Sequence, residues 1–338
     1  MHVMHKIYLI NLAKGVIKML VRLGYVSISM KLGKKVTASS NVTFANYIKQ
    51  ESKEKKLEKL KTVALSNIND LEKILKYNIH NNIHFYRITS ALVPLVTHPE
   101  VGYWGHREIF KKDFEYLGKL IRKSNMRVDT HPNEFNVLNS INPSVVENTK
   151  KNLLCQVEWF EDLNYPEGKM VLHVGGATYG KENGIIRFIE NFKKMPSEIT
   201  SRLIIENDDK TYTAKEVLKL CNKLKIPMVL DVHHHNCNNS GEDLEDMLEN
   251  IFNTWNNEIL PPKIHFSSPK DFENDRKHAD YINPKEFIKF IEKAKLIDRN
   301  FDVMLECKQK DEALYKLVED IKKIKPEYRW VDASSFYL

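Results

Sequence analysis

Cysteine is scarce in this 338-residue chain, with only four present. Cys155, Cys221, Cys237 and Cys307 are scattered, and no two have C-x-x-C spacing. That argues against a disulfide framework and for reduced thiols, so a cytoplasmic location is expected. Long apolar runs are also missing. No stretch of about 18 uncharged apolar residues occurs, and no transmembrane helix is expected. The first residues, "MHVMHKIYLINLAKGVIKM", have neither a convincing apolar core nor a small-residue cleavage site, so a signal peptide is not expected. Residues 1–18 read as an N-terminal extension, either a short amphipathic segment or the product of an upstream start before Met19. No low-complexity tract or linker divides the remainder, and 19–338 is expected to be one domain.

The apolar fraction of 42% supports a sizeable core and excludes wholesale disorder. Net charge is +7 and the pI about 8.9, a mild basic balance that permits a polyanionic partner without requiring one. The charged run "KQESKEKKLEKLK" (49–61) reads as a solvated helix face rather than a binding tail.

Eight short apolar runs punctuate the chain: 21–28, 84–92, 126–131, 169–176, 202–208, 226–233, 263–268 and 301–308. Near-continuous apolar runs suit strands buried on both faces, as in a parallel sheet. Between them apolar residues recur at helical spacing. Ala64, Ile68, Leu71 and Leu75 form one stripe, and Phe110, Phe114, Leu117 and Ile121 another. Val217, Leu220 and Leu224, then Phe287, Phe290 and Ile291, then Leu314, Leu317, Val318 and Ile321 repeat the pattern. Asn283-Pro284 reads as an N-cap with proline in the first turn. This alternation predicts an α/β fold, a single closed (β/α)₈ TIM barrel, with a doubly wound open sheet as the competitor.

Barrel active sites lie at the C-terminal ends of the strands. Here the second strand leads to His98, the third to His131, and the fourth carries His173. The fifth ends in Glu206-Asn207-Asp208 and the sixth in Asp231, followed by His233, His234 and His235. The seventh carries His265, with His278 in the following loop, and the eighth ends at Glu306. A single strand histidine is usually a satisfied core residue, but acids and imidazoles at seven consecutive strand ends call for a shared countercharge. Divalent cations would keep the carboxylates ionised while neutral imidazoles complete the shells. The mixed nitrogen and oxygen set suits Mn²⁺ or Zn²⁺ better than Ca²⁺ or Mg²⁺. After Asp231, extended backbone would present His233 and a turn would present His234; geometry leaves both, and His235, open. Cys237 is a weak candidate because no second cysteine lies near it.

The stretches "RLGYV", "FYRITSALVPLVTHP", "DTHPNEF", "VLHVGGATYGK", "IIENDD", "PMVLDVHHHN", "KIHFSS" and "DVMLECK" occur in one order from about residue 21 to 310. They resemble the UV damage endonuclease family (UvdE), relatives of endonuclease IV and of xylose isomerase-like barrels. The resemblance implies a barrel holding two or three divalent ions, typically Mn²⁺, with Zn²⁺ or Co²⁺ as alternatives. The implied ligands are His131, His173, Glu206, Asp231, His234, His265, His278 and Glu306, with Glu206 bridging. It places His98 at the same site as ligand or phosphate contact, Lys263 at the site beside the catalytic Glu206, Asp231 and Glu306, and Tyr25 at the mouth of the DNA groove.

The implied reaction is a DNA-repair nick 5′ to a cyclobutane dimer or (6-4) photoproduct, leaving a 3′-hydroxyl and a 5′-phosphate. The partner is UV-damaged double-stranded DNA, with no membrane, no nucleotide cofactor and a monomeric enzyme expected. One departure stands out. The family's loop runs closer to His-Pro-x-Gln-aromatic, a pair implied to wedge into DNA, whereas this chain has Glu134-Phe135. Phe135 keeps the aromatic wedge, with Tyr25 and Tyr179 secondary, but an acid beside a phosphate backbone is unfavourable. "GGATYGK" (175–181) lacks the Walker spacing, so Lys181 is at most a backbone contact. The rival readings are a sugar isomerase or epimerase on the same barrel, an abasic-site endonuclease, and a metal-dependent binding protein without turnover.

Overall fold

A computed structural model describes residues 19–338; the extension 1–18 lies outside the described residues. Eight parallel strands close into a barrel: β1 (Leu20–Val26), β2 (Phe85–Ile88), β3 (Arg127–Thr130), β4 (Lys169–His173), β5 (Leu203–Glu206), β6 (Met228–Asp231), β7 (Lys263–Phe266) and β8 (Phe301–Leu305). They pair in sequence order, and β1 closes the ring by pairing with both β2 and β8. Each falls within an expected apolar run or overlaps it closely, and the open sheet is excluded. Two short strands the sequence pattern did not reveal, β9 (Arg329–Trp330) and β10 (Ser335–Tyr337), add an antiparallel flap to β1.

The expected helical stripes face the barrel. Ala64, Ile68, Leu71 and Leu75 are buried on the helix Lys53–His80, while the charged 49–61 run is mostly exposed around and along its first turns. Asn283 caps the helix Pro284–Ala294 by accepting from Lys285 N–H, with Pro284 in the first turn. Among the described residues no helix is long and apolar enough to cross a membrane.

Side-chain alternation along the strands decides what lies inside the barrel. On β1, Gly24 must approach β2 closely, since a Cβ there would lie 2.4 Å from the Phe85 carbonyl oxygen. Val26, Phe85 and Met304 meet in one inner cluster. Val171, Ile204 and Val229 meet in another, against Trp255. These three stand two residues before His173, Glu206 and Asp231, so an apolar layer supports a polar one.

The opposite end is closed by ions. Asp302 accepts from Arg22 Nε at 2.6 Å, Arg22 Nη2 at 2.7 Å and Arg127 Nη1 at 2.7 Å. The Arg127 guanidinium also lies over the Phe85 and Trp255 rings, 5.1 and 5.2 Å from their centroids.

Candidate metal centre and active site

Parallel register brings the polar residues side by side. His173 pairs with Glu206 across β4–β5, and Asp231 with His265 across β6–β7. Glu206 itself is paired with Val229, so Asp231 stands two residues further along its strand, following the barrel stagger.

Glu206 is the hub. Its Oε2 lies 3.0 Å from His131 Nε2 and 3.6 Å from His173 Nε2. Its Oε1 lies 2.8 Å from His265 Nδ1 and 3.6 Å from His234 Nδ1. Donor atoms of His131, His173 and Glu206 can form one metal-sized group, and those of Glu206, Asp231, His265 and Glu306 a second, with Glu206 common to both.

Asp231 ends β6 and caps the short helix Val232–Cys237, accepting from His234 N–H at 2.8 Å. The backbone therefore turns at once, and His234 comes round to the cluster, with Nδ1 3.8 Å from Asp231 Oδ2. This closes the choice the sequence left open: His233 is buried beside His278 and Cys237, and His235 lines a separate cavity under the 239–244 loop. The other carboxylate oxygen of Asp231, Oδ2, is buried without a hydrogen-bond partner.

Backbone carbonyls fix several rings. His131 Nδ1 faces the Pro132 carbonyl at 3.0 Å, His234 Nδ1 the Asn207 carbonyl at 3.0 Å, and His278 Nδ1 the Glu306 carbonyl at 2.6 Å. A ring that donates from Nδ1 presents an unprotonated Nε2, the orientation metal-binding histidines use.

Three residues absent from the candidate set complete the site. Arg87 places Nη1 2.6 Å from Glu306 and Nη2 2.7 Å from His265 Nε2. Asp129 accepts from the buried Lys263 ammonium at 2.5 Å. Asn207 grips the backbone of Asp231 through its side chain. Period-two spacing would have found one of them: Asp129 stands two residues before His131, as Lys263 stands before His265, on the same inner face.

The electrostatics call for added positive charge. Glu206, Asp231, Glu306 and Asp129 are all buried or nearly so, and the permanent cations among them are Arg87 and Lys263. Burial alone would protonate Glu206, but the imidazoles of His265, His173 and His131 outweigh it and hold the carboxyl well below its usual range. Burial, with Glu206 and Glu306 nearby, pushes Asp231 up to about 6. Burial disfavours charge on His234, yet Asp231, Glu206 and Glu306 together lift it to about 9. Burial lowers His265 to about 4, keeping the ring neutral. A proton on His234 is what this negative field attracts in place of a metal. The orphaned Asp231 oxygen and the excess of carboxylates fit divalent ions.

Other expected positions fall differently. Tyr25 is not at the groove mouth. It points away from the barrel interior and is fully buried, its hydroxyl donating to Asn78 Oδ1 at 2.7 Å on the helix Lys53–His80. Strand alternation explains the correction: Arg22 turns inward, and Tyr25, an odd number of residues on, turns outward. His98 stacks on Phe44 with ring centroids 4.2 Å apart and lines a cleft with Asn133 and Asn136, outside both metal-sized groups. Lys263 lies below the cluster, sealed against Asp129, so it can position but not touch a substrate. Lys181 Nζ pairs with Glu216 at 3.0 Å on the protein surface.

Glu134 and Phe135 sit on the exposed loop after His131, with Phe135 78% exposed. Glu134, His173, His234, His278, Lys210 and Arg276 line one mouth cavity of about 360 Å³.

Comparison with known proteins decides the family. The UV-endonuclease UvdE family pattern matches residues 21–333. The chain belongs to the UvdE family. A UV DNA damage endonuclease of Bacillus cereus (strain B4264) is 40% identical over 309 residues, covering 91% of this chain and 96% of its own. One from Bacillus thuringiensis subsp. konkukian (strain 97-27) matches to the same extent, 40% over 309 residues. The solved structure of SacUVDE is similar with a TM-score of 0.79 at 32% identity, covering 90% of this chain and 99% of that one. The UvdE barrel expected from the sequence is thus the architecture found.

Proposed function

We propose that this UvdE protein is a divalent-metal-dependent DNA-repair endonuclease that nicks the strand 5′ to UV photolesions, leaving a 3′-hydroxyl and a 5′-phosphate. The observation that carries the reading is Glu206, with four imidazoles around its two oxygens and two further acids, Asp231 and Glu306, beside it. Its relatives' names, UV DNA damage endonuclease, support the substrate class.

His131, His173, Glu206, Asp231, His234, His265, His278 and Glu306 would hold two or three Mn²⁺ ions, with Zn²⁺ or Co²⁺ as substitutes. Such ions supply an activated water and neutralise charge on the phosphate and the leaving oxygen. The protein's part is arrangement. Glu206 presents its two oxygens to different imidazoles and so serves both ligand groups. Arg87 orients Glu306 and His265, and Lys263 neutralises Asp129 beneath them. Phe135 stands free to enter a weakly stacked lesion, where deforming DNA costs least. Glu134 beside it repels the backbone and weakens undamaged contacts most, because there no lesion offsets the repulsion.

A 5′-labelled duplex with one cyclobutane dimer tests this reading. The expected product ends 5′ of the dimer and is extended directly by a polymerase, as a 3′-hydroxyl requires. Cleavage of an abasic duplex in preference to the dimer would replace the lesion assignment.

A further inference from the structure

Away from the barrel mouth, a second set of ligand types converges between two elements. His106 opens the short helix His106–Ile109, after the segment 89–105 that follows β2. Cys155 and Glu158 lie three residues apart on the helix Pro143–Asp162 and share one face. One donor atom from each of the three lies within 4.8 Å of the others.

His106 is only 1% exposed, and neither ring nitrogen has a hydrogen-bond partner. Leaving buried polar groups unmet costs about 1–3 kcal/mol each, so such a ring calls for an explanation. The ring also borders a cavity of about 310 Å³, together with Cys155, Glu158, His98, Tyr103 and Lys151.

We propose that His106, Cys155 and Glu158 form a second metal site, suited to one Zn²⁺ ion, that ties the 89–105 segment to the helix Pro143–Asp162. Zinc takes thiolate, imidazole and carboxylate at about 2.0–2.3 Å, which sets tetrahedral donor separations of roughly 3.3–3.8 Å. Side-chain adjustment of about an ångström brings the three donors to that spacing. The fourth position opens on the cavity and takes water.

Burial keeps His106 neutral, lowering it to about 4, and so ready to bind. Burial also raises the Cys155 thiol. On binding, the Cys155 S–H bond breaks, the proton passes to solvent and the thiolate bonds the ion, as coordinated thiols do. Glu158 gives up a 3.5 Å contact with Arg107, whose shorter bond, 2.6 Å, goes to Asp162 and remains. Lys151 on the cavity rim opposes the ion, so the site depends on the thiolate for its affinity.

This site stands apart from the reading of the barrel mouth, whose ligand set contains no cysteine. Full-length protein loaded with Co²⁺ tests it, because a thiolate-to-cobalt charge-transfer band in the near ultraviolet reports cysteine ligation alone. Cys237, close to His233, is first replaced by serine. The band is expected in that background, retained in Glu206→Gln and absent from Cys155→Ser. Glu158→Gln, at a partly exposed position, is expected to weaken Co²⁺ binding at least about tenfold as read by the same band. Zinc retained after dialysis should fall by one equivalent per chain in Cys155→Ser. No band in the folded Cys237→Ser protein, or a band that survives Cys155→Ser, overturns the proposal; the first needs no variant at Cys155 to fold.

Discussion

The side-chain amide of Asn207 holds Asp231 from both sides: its Oδ1 accepts from Asp231 N–H at 2.9 Å and its Nδ2 donates to the Asp231 carbonyl at 3.0 Å. The carbonyl of the same asparagine faces His234 Nδ1. One residue beyond Glu206 therefore orients two neighbouring members of the proposed metal site. Asn207→Ala is expected to lower Mn²⁺ affinity roughly 10–100-fold, measured by calorimetric titration. It should also cost about 1–3 kcal/mol of stability in denaturant unfolding, because two buried backbone groups lose their partners.

Lys263 and Asp129 give a second test, because neither is exposed and each neutralises the other. Burial depresses the Lys263 ammonium to about 8, with Asp129 opposing the shift. Lys263→Met leaves the buried Asp129 carboxylate with only the more distant Arg87 guanidinium, 3.7 Å away, and is expected to cost about 3 kcal/mol. The double variant Lys263→Met, Asp129→Leu should recover most of that loss. Urea unfolding of the two single variants, Lys263→Met and Asp129→Leu, and of the double measures the coupling; a loss in the double equal to the sum of the single losses would show that the pair acts independently.

Much of this was legible in the sequence because strand burial and ligand chemistry both leave marks on single residues. Apolar runs located β1 to β8, and acids at strand ends pointed to Glu206, Asp231 and Glu306. What stayed hidden depends on three-dimensional direction. Tyr25 reads the same facing a groove or a helix, and only strand alternation inside the closed barrel sends it outward. His234 could be separated from His233 only by the turn that starts at Asp231. Arg87 sat within a quoted stretch, yet its partners Glu306 and His265 come from strands far along the chain. The strands β9 and β10 hold two and three residues, too few for a periodic signal.

At the closed end of the barrel, Asp302 ties stability to acid. Burial opposes its charge, but Arg22 and Arg127 prevail and hold its carboxyl below the usual 3.8. A depressed folded value means the stabilisation is complete above the unfolded pKa, about 3.9, and is lost as pH falls through the lower folded value. Asp302→Asn is expected to cost about 3–5 kcal/mol at neutral pH, since two arginines lose their counterion. The difference from the unchanged protein should shrink below about pH 3.9 in pH-dependent thermal melts. A difference that stays constant to the lowest pH would contradict the ion-triad account.

The exposed loop after His131 allows the proposed lesion contact to be tested apart from folding. Phe135 is exposed and packs against no core, so Phe135→Ala should change stability by less than about 0.5 kcal/mol. The same change should weaken nicking of dimer-containing duplex at least about tenfold, in line with about 1–3 kcal/mol for base stacking on an aromatic. In the proposed DNA complex Glu134→Gln removes an acid from beside the phosphate backbone, so affinity for DNA should rise, most clearly at low salt where screening is weakest. Nicking of the labelled duplex measures the first effect, and filter binding across a salt series the second.

Nicking of UV-irradiated supercoiled plasmid by metal-stripped protein, with Mn²⁺ added back, tests the central claim most directly. The stripped protein should be inert, and Mn²⁺ should restore nicking of irradiated plasmid but not of untreated plasmid. Glu206→Gln should fold normally by circular dichroism yet lose at least about a hundredfold in rate, the size of about 2.7 kcal/mol of transition-state stabilisation. Nicking by Glu206→Gln at the unmodified rate, or by stripped protein held in chelator, would contradict the account.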